Sequence, residues 1–336
     1  MDRNDLQLRL FPVPHNKLVR RSKGESSSAV AERVRQARAI QAERFSAEGI
    51  FTNAEMGNRQ IEKYCPLDAE CSKTMESLMD RLTYRNFEII AIENNSKAQD
   101  TFDYYNELLA KYGEGKNPSV KVVYYEGGFN FSAINNFGAE AASGEYLLLL
   151  NNDTEVLAAD LLEELLMFGQ DPEVAAVGAR LFYPDGDLQH AGIVMGLGGV
   201  AGHVHQRKHG DDTGYFNRVI AQQDISGVTA ACMLVKRSAF DEVGGLNEDL
   251  AVAFNDVDFC LKLREAGYRI VYNPYATMTH YESKSRGYED NPEKVSRFVG
   301  EITYMKNRWK DVLWHDPYYN INLTHADVNC ELAGEE

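Results

Sequence analysis

The sequence predicts an α/β fold in which a mostly parallel sheet is flanked by helices and preceded by an irregular or helical amino-terminal arm. The central observation is the segment GEYLLLLNNDTEV, residues 144–156, in which an apolar run ends abruptly at Asn151, Asn152 and Asp153. A run of this length is typical of a strand buried on both faces. Strands and helices alternate around it, and this spacing indicates parallel strands with right-handed crossovers.

The individual elements follow one another from residue 68. Apolar periodicity predicts helices at 68–82, 99–112, 131–142 and 157–170, and strands at 87–94, 120–125, 146–150 and 174–181. It also predicts a helix at 256–266, a strand at 269–272 and a late amphipathic helix at 302–314. The glycine- and histidine-rich stretch 192–214 is expected to be a mobile loop. We expect an arm over 1–58, a domain over 59–325 and an extended tail over 326–336.

Charge and composition exclude several classes of protein. The formal net charge of −16 argues against general nucleic-acid binding. Residues 1–46 hold ten Lys or Arg and five Asp or Glu, so the rest of the chain is more acidic than the total suggests. The basic arm suits an anionic membrane surface, although a solvated tail explains it more simply.

Targeting and redox signals point to the cytoplasm. No run of about 18 apolar residues suggests a membrane span, and the first residues lack the apolar core of a signal peptide. The five cysteines form no C-x-x-C pair, which favours reduced thiols over disulfides or zinc. We expect a cytoplasmic protein, with a peripheral position at the inner face of the plasma membrane as a second expectation from the basic arm.

Polar residues follow two of the predicted strands. Asn95 and Ser96 end one strand, and Asn152 and Asp153 end another. The carboxyl ends of strands in one sheet share a crevice that usually binds ligands. Asp153 is a hard oxygen ligand that suits Mg²⁺ or Mn²⁺, with water and substrate phosphates completing the shell. A plain polar turn after a core strand is the alternative, and on this segment alone it carries equal weight.

The stretch AFNDVDFCLKLREAGYRIVYNP, residues 253–274, is the most informative. Asn255 is predicted to cap a helix that ends before Gly267. Asp256 and Asp258 lie roughly 200° apart around that helix, so they cannot both face one site. The helix dipole favours a negative charge in the first turn, which suits a general base. Without further context, both aspartates are explained as ordinary residues of a helix amino terminus.

Two histidine-containing segments follow different expectations. THYESKSRG, residues 279–287, places His280, Lys284 and Arg286 in a basic loop that suits phosphate, although a lone histidine is more often a bystander. His203, His205 and His209 in GHVHQRKHG look like a metal cluster, but we interpret them as loop residues because no acidic or cysteine partner accompanies them.

The combined motifs resemble the family 2 glycosyltransferases. The resemblance covers roughly residues 67–325 and rests on FNFSAINNFGAEAASGEYLLLLNNDTEV, SGVTAACMLVKRSAFDEVGGLNE and FNDVDFCLKLREAGYRIVYNPYATMTHYESKSRG. The closing DPYYNINLT resembles a subgroup that builds bacterial surface polysaccharides and is described as rhamnosyltransferase-like. The family implies a GT-A fold, a nucleotide-diphosphate-sugar donor, Mg²⁺ or Mn²⁺, and inversion at the anomeric carbon.

The resemblance also assigns residues to roles. Residues 151–153 match the D-x-D motif, so Asp153 alone supplies charge to the metal because Asn151 replaces the first aspartate. Asp256 matches the catalytic base, and His280 matches a late histidine of the metal site. The remaining donor-site matches are Asn94, Asn95, Ser96, Asn135 and Asn152, with Lys284 and Arg286 as possible helpers at the diphosphate. The segments at Gly227 and Gly244–Gly245 match the acceptor side.

The predicted activity is transfer of a sugar to a hydroxyl of a growing cell-surface polysaccharide or glycolipid, so the acceptor is a glycan or lipid-linked glycan. A nucleotidyltransferase is one alternative, but the glycine- and lysine-rich triphosphate loop it needs is not evident. The other is a catalytically impaired binding or assembly module. The family's first strand is Ile/Val-rich, ends in proline and lies mid-sheet, whereas residues 59–66 read RQIEKYCP. Unpaired buried charges there would each cost several kcal/mol, so we expect a degenerate first strand with weakened stability and donor affinity.

Overall fold

The structure is a computed structural model that describes Arg35, residues 68–281 and residues 292–333. The long described segments belong to one compact unit, Asp68–Glu336. The predicted arm over 1–58, the candidate first strand at 59–66, Lys284 and Arg286 lie outside the described residues.

Eight α-helices and eleven strands occur in the described segments. The helices are α1 (Asp68–Arg81), α2 (Gln99–Tyr112), α3 (Phe131–Ala141), α4 (Leu161–Gly169), α5 (Arg237–Glu242), α6 (Asn255–Glu265), α7 (Pro292–Arg308) and α8 (Lys310–Trp314). The strands are β1 (Glu88–Glu93), β2 (Ser119–Tyr124), β3 (Tyr146–Leu150), β4 (Thr154–Val156), β5 (Val174–Phe182), β6 (Leu188–His190), β7 (Ile193–Met195), β8 (Ala201–His203), β9 (Gln223–Asp224), β10 (Cys232–Lys236) and β11 (Arg269–His280). Every element predicted between residues 68 and 182 is present, with bounds that differ by a few residues.

Seven strands form one mixed sheet. Its central order is β3-β10-β5-β11-β4, with β6 beside β5 and β9 beside β11. The β5–β11 pair is parallel, whereas β10 runs antiparallel to β3 and β5, and β4 runs antiparallel to β11. The predicted α/β class is confirmed. The sheet is mixed rather than mostly parallel because β4 and β10, which were not predicted, supply antiparallel pairs.

Helices cover both faces of this sheet. Alternate strand residues point to opposite faces, so Ala176 and Val177 of β5 enter two different cores. On one face α4 packs through Leu161 and Leu165, and both side chains are fully buried. On the other face α6 packs through Phe259, Cys260 and Leu263, which is the core face predicted for this helix. Burial of β5 on both faces explains its nearly continuous apolar sequence.

The prediction of a mobile loop at 192–214 is wrong. Strands β7 and β8 form an antiparallel hairpin with Ile193 opposite His203. Ile193, Val194 and Met195 are buried, so the short apolar run forms a core strand despite the surrounding glycines. Gly196 has a φ of 81° in the turn, and a Cβ there would lie 2.3 Å from the Leu313 carbonyl oxygen. The glycine therefore allows a close approach between two chain segments.

The carboxyl-terminal part also differs from its prediction. The single helix expected at 302–314 is α7 followed by α8, and they are separated at Trp309, whose φ of −115° is not helical. The Trp309 indole N–H donates to Asp258 Oδ1 at 2.7 Å. The extended tail expected over 326–336 is wrong for its described residues, because Thr324 N–H donates to Glu331 O and Cys330 is buried.

Strands β1 and β2 form a separate parallel pair. Within the described residues, β1 pairs with β2 only, and β3 pairs with β10 only. The family resemblance places its first strand mid-sheet, and the matching residues 59–66 lie outside the described part. Among the described residues, the amino-terminal sheet therefore has two strands. Five of the six residues of β1 are half-buried.

Candidate active site

The turn after β3 is held by long-range hydrogen bonds. The Asn151 N–H donates to Ala231 O at 3.1 Å. The Thr74 hydroxyl of α1 lies 2.7 Å from Asn152 O and 2.6 Å from Thr154 O. These contacts fix the backbone on both sides of Asp153. Thr74 was not predicted, because a single threonine on an amphipathic helix gives no signal in one sequence.

Asp153 and His280 come together at this turn. Asp153 Oδ1 lies 3.1 Å from His280 Nε2, and their side chains are 20% and 12% exposed. Strand β11 carries His280 into place because it pairs antiparallel with β4, with His280 opposite Thr154. The expectation that His280 follows a strand ending at Tyr272 is corrected, since β11 continues to His280 through an irregularity after Asn273.

The Asp153–His280 distance is that of a hydrogen bond, and it also fits two neighbouring ligands of one divalent ion. Neighbouring ligands of an octahedral ion bound at roughly 2.1 Å lie about 3.0 Å apart, close to the 3.1 Å between Asp153 Oδ1 and His280 Nε2. A carboxylate oxygen and an imidazole nitrogen suit Mn²⁺, and water or phosphate oxygens complete such shells. The described residues show no group of three or more His, Cys, Asp or Glu that could hold a metal. An ion here therefore needs ligands from the substrate or water.

Gln189 of β6 is a site residue that the sequence reasoning missed. Its Oε1 lies 2.8 Å from His280 Nδ1, and its Nε2 lies 3.4 Å from the His280 carbonyl oxygen. The Gln189 side chain is buried, with the residue 3% exposed. Asn151 Nδ2 lies 3.2 Å from His280 Nε2. The available signal was a glutamine between Leu188 and His190, and this is too weak to predict a contact 91 residues away.

Asp256 lies in the first turn of α6. Its Oδ1 accepts the Val257 N–H at 2.9 Å, and its Oδ2 accepts the Ala230 N–H at 3.2 Å. The predicted cap at Asn255 is corrected. Helix α6 begins at Asn255, and Phe254 takes the cap position with a φ of 60°. The Asn255 side chain instead bonds Val252 O and the Asp256 N–H, so it fixes the backbone that presents Asp256.

Residues 229–231 connect Asp256 to the turn after β3 that carries Asn151 and Asp153. The Thr229 N–H lies 3.4 Å from His190 Nε2, the Ala230 N–H bonds Asp256, and Ala231 O accepts the Asn151 N–H. Three successive residues therefore contact three parts of the site. Burial, with the neighbouring imidazoles of His203 and His280, holds the pKa of His190 well below its usual range.

Asp258 occupies the opposite side of α6. It is fully buried and accepts the Trp309 indole hydrogen bond. The prediction that Asp256 and Asp258 cannot both face one site agrees with this geometry. Lys262, one turn further on, donates to Val243 O and Gly245 O. Asp258, Lys262 and Asn136 are among the residues that line a cavity of about 430 Å³ at the Gly244–Gly245 turn.

The residues predicted to meet the nucleoside form hydrogen bonds within the protein. The Asn94 and Asn95 amides both donate to Gly127 O at 2.8 Å. The Ser96 hydroxyl donates to the buried Glu93 carboxylate at 2.7 Å. The Asn135 amide donates to Phe131 O one helical turn before it. These bonds shape the β1 turn and α3, and Lys284 and Arg286 lie outside the described residues.

The three histidines of GHVHQRKHG have separate surroundings. His203 Nδ1 lies 3.3 Å from His190 Nδ1. His205 is 1% exposed, and its backbone N–H bonds Val328 O. His209 is exposed and pairs with Asp211. Gly227, predicted on the acceptor side, bridges to Ile193, and a Cβ there would lie 3.1 Å from Met195 Cε.

The fold matches that of a solved glycosyltransferase. The structure described as "GalNAc-T7 with UDP, GalNAc and Mn2+" superposes with a TM-score of 0.54 at 15% sequence identity. The match covers 79% of this chain and 52% of that one. This likeness shows the fold, which is the GT-A fold predicted from the sequence.

Sequence comparison identifies the family of this chain among proteins with the GT-A fold. The profile "Glycosyl transferase family 2" matches residues 71–244, more than half of the chain. The chain belongs to glycosyl transferase family 2. A second profile, "Magnesium chelatase, subunit ChlI C-terminal", matches residues 24–89, most of which lie outside the described residues.

Curated relatives indicate the bacterial polysaccharide type. "Uncharacterized protein y4gI" of Sinorhizobium fredii is 49% identical over 74% of this chain and 27% of its own length. "O-antigen biosynthesis protein RfbC" of Myxococcus xanthus is 35% identical over 77% of this chain and 20% of its own. "N-acetylglucosaminyl-diphospho-decaprenol L-rhamnosyltransferase" of Mycobacterium tuberculosis is 30% identical over 41% of this chain and 47% of its own. The resemblance to family 2 enzymes of the polysaccharide type is confirmed. The chain spans about a quarter of the first relative and a fifth of the second.

Proposed function

We propose that the chain transfers a sugar, with inversion, from a nucleotide-diphosphate-sugar donor to a hydroxyl of a cell-surface polysaccharide or glycolipid. The observation that carries the proposal is the 3.1 Å contact between Asp153 Oδ1 and His280 Nε2. The catalytic domain is proposed to span residues 59–325. Membership of the family and the relative named for O-antigen biosynthesis support this reaction class.

Asp153 and His280 are the residues that would hold Mg²⁺ or Mn²⁺. When bound, the ion would offset the negative charge that develops on the departing nucleoside diphosphate. The protein supplies one carboxylate, and Asn151 places an amide beside His280 instead of a second carboxylate. Asn152 is exposed in the same turn and is proposed to meet the diphosphate, with Lys284 or Arg286 as a further cation.

Asp256 is proposed as the general base that takes the proton of the acceptor hydroxyl. Two backbone N–H groups hold its carboxylate, one from its own helix and one from Ala230. These donors stabilise the negative charge and fix the rotamer, while other lone pairs remain for the incoming hydroxyl. One base suffices, because inversion proceeds by a single displacement without a covalent sugar intermediate.

The nucleoside is proposed to bind beside the β1 turn, at Asn94, Asn95, Ser96 and Asn135. The acceptor is proposed to be a glycan or lipid-linked glycan. The described residues contain no helix that is both long enough and apolar enough to span a membrane. A position in the cytoplasm, with peripheral contact at the inner face of the plasma membrane, remains part of the proposal. Because this chain matches only 27% and 20% of the length of the two relatives, their acceptors are carried over to it only as part of this proposal.

A thermal-shift titration tests donor and metal use together. We expect a nucleotide sugar from a panel of uridine, guanosine and thymidine diphosphate sugars to raise the Tm in the presence of Mn²⁺. Asp153→Ala should remove the Mn²⁺-dependent part of that rise, because no second carboxylate stands in the motif. Asp185→Ala is the matched control, since Asp185 is exposed and pairs with Arg207.

An unchanged Mn²⁺-dependent shift in Asp153→Ala would overturn the metal assignment. The alternative, a catalytically impaired binding module, is not favoured by the family and relatives. Direct assay of sugar transfer or donor hydrolysis separates the two functions, because a binding module would show the Tm shift and release no nucleoside diphosphate.

A further inference from the structure

Gln189 holds His280 at two points. Its Oε1 lies 2.8 Å from His280 Nδ1, and its Nε2 lies 3.4 Å from His280 O. The opposite orientation of the amide would place Oε1 against the His280 carbonyl oxygen, and two acceptors would then face each other. The observed orientation is the one in which both contacts pair a donor with an acceptor.

This contact determines where the imidazole carries its hydrogen. An amide oxygen can only accept, so His280 Nδ1 must carry the hydrogen and donate it to Gln189 Oε1. In the neutral ring, Nε2 then has a lone pair. Asn151 Nδ2 lies 3.2 Å from Nε2 and can donate to that lone pair. The same nitrogen lies 3.1 Å from Asp153 Oδ1. Because a carboxylate oxygen only accepts, a proton or a cation must lie between these two atoms.

The neighbouring strand β5 holds Gln189 in place. Gln189 lies in β6, and the residues on both sides of it pair with β5, Leu188 with Phe182 and His190 with Leu181. His203 Nδ1 lies 3.0 Å from the Gln189 carbonyl oxygen. His203 Nδ1 also lies 3.3 Å from His190 Nδ1, so the pairing of Leu188 and His190 with β5 is what holds Gln189 in place.

We propose that Gln189 is a positioning residue that keeps His280 in the Nδ1–H tautomer, so that the Nε2 lone pair faces Asp153 and can bind a divalent cation. Outer hydrogen-bond partners of ligand histidines commonly fix tautomer and ring orientation, and their loss lowers metal affinity about 10- to 100-fold. The hydrogen on Nδ1 follows from the contact with Gln189, while a lone pair on Nε2 towards Asp153 requires the cation and so rests on the proposed function.

The tautomer is measured by ¹⁵N NMR of the histidine rings in the metal-free full chain at about pH 8, where ordinary histidines are neutral. His280→Asn identifies the His280 signals. We expect a hydrogen on Nδ1 of His280 in the parent protein and in Gln189→Glu, which keeps an acceptor. Gln189→Met, which keeps the length and removes the acceptor, should shift His280 towards the Nε2–H form. An Nε2–H pattern in the parent, or an unchanged pattern in Gln189→Met, overturns the proposal.

Metal affinity is measured on the same variants by Mn²⁺ electron paramagnetic resonance, with and without UDP. Gln189→Met should bind Mn²⁺ about tenfold or more weakly, and Gln189→Glu should retain binding. Gln206→Met is the matched control, because Gln206 donates to Tyr183 OH rather than to His280. Equal affinity in the parent and Gln189→Met overturns the cation part. If the parent itself binds no Mn²⁺, the proposed function fails while the tautomer result still stands.

Discussion

The two sheets differ in how they hold their part of the site. The seven-stranded sheet carries Asp153 and His280 at strand ends, and its central strand β5 is buried along most of its length. The two-stranded sheet carries Asn94–Ser96, and five of the six residues of β1 are only half-buried. Asp153 and His280 at the proposed metal site are therefore fixed by a dense core. The proposed nucleoside side is fixed by hydrogen bonds beside a less buried sheet, including those from Asn94 and Asn95 to Gly127.

The difference has a chemical reason. A metal and a developing diphosphate charge need ligands held within a fraction of an ångström, and buried strands with long-range hydrogen bonds provide that precision. A nucleoside presents flat rings and hydroxyls that tolerate more adjustment. The buried Glu93 carboxylate accepts hydrogen bonds from Ser96 and Tyr105 and so supports the turn proposed to meet the nucleoside.

The largest effect is expected at the proposed base, on the well-packed side. Asp256→Asn should leave donor binding nearly intact and lower turnover by about a hundredfold or more, the range for loss of a general base. Steady-state kinetics and donor titration measure the two quantities. Asp258→Asn is the control on the opposite side of α6, and it should change turnover far less. Equal losses of turnover in both variants would contradict the separation of the two faces.

A pair of identical substitutions compares the sheets directly. Ile270 in β11 is fully buried, whereas Ile90 in β1 is half-buried. Ile270→Ala should cost roughly 2–5 kcal/mol of unfolding free energy because it removes packed atoms and leaves a cavity. Ile90→Ala should cost clearly less, since part of its surface already faces water. Denaturant titration measures both losses, and equal values would remove the contrast between the sheets.

Much of the fold was predictable because the strands up to residue 182 are long apolar runs between clear helical patterns. The exceptions are short strands with few residues to show a period. Strand β4 has three residues, and β7 and β8 lie among glycines that also favour a loop. The sheet is mixed because β4 and β10 run antiparallel to their neighbours. Strand direction was not predicted because it cannot be read from hydrophobicity alone.

The candidate site was predictable only where a motif carried the chemistry. Asp153 was proposed as a metal ligand from its position after a buried strand, and the family resemblance assigned roles to His280 and Asp256. The structure brings Asp153 and His280 into contact. Gln189 and Thr74 were missed, because each acts through one hydrogen-bonding group on a residue far away in sequence. The predicted cap at Asn255 was wrong because Asn255 is buried inside the first turn, where its amide bonds the preceding loop.

The smallest expected effect is a change in melting temperature caused by Asp258, on the buried face of α6, and this change depends on pH. Burial raises the pKa of Asp258, and hydrogen bonds from Trp309 and Tyr304 and the charges of Lys262 and Arg308 oppose that shift only in part. A carboxyl whose pKa is higher in the folded state costs stability as pH rises from its unfolded pKa, about 3.9, through its folded pKa, and the cost is constant above it.

Asp258→Asn removes that cost, because asparagine does not ionise while its side-chain oxygen can still accept the Trp309 hydrogen bond. We therefore expect a higher Tm than the parent at neutral pH and a difference that vanishes near pH 4, close to the unfolded pKa of aspartate. Calorimetric melting across that range measures it, with Asp258→Ala, which loses the acceptor, as the variant expected to melt lower. A Tm gain that is the same at about pH 4 and at neutral pH would show that the charge of Asp258 is not its cause, and that the contrast between the two faces of α6 lies in packing alone.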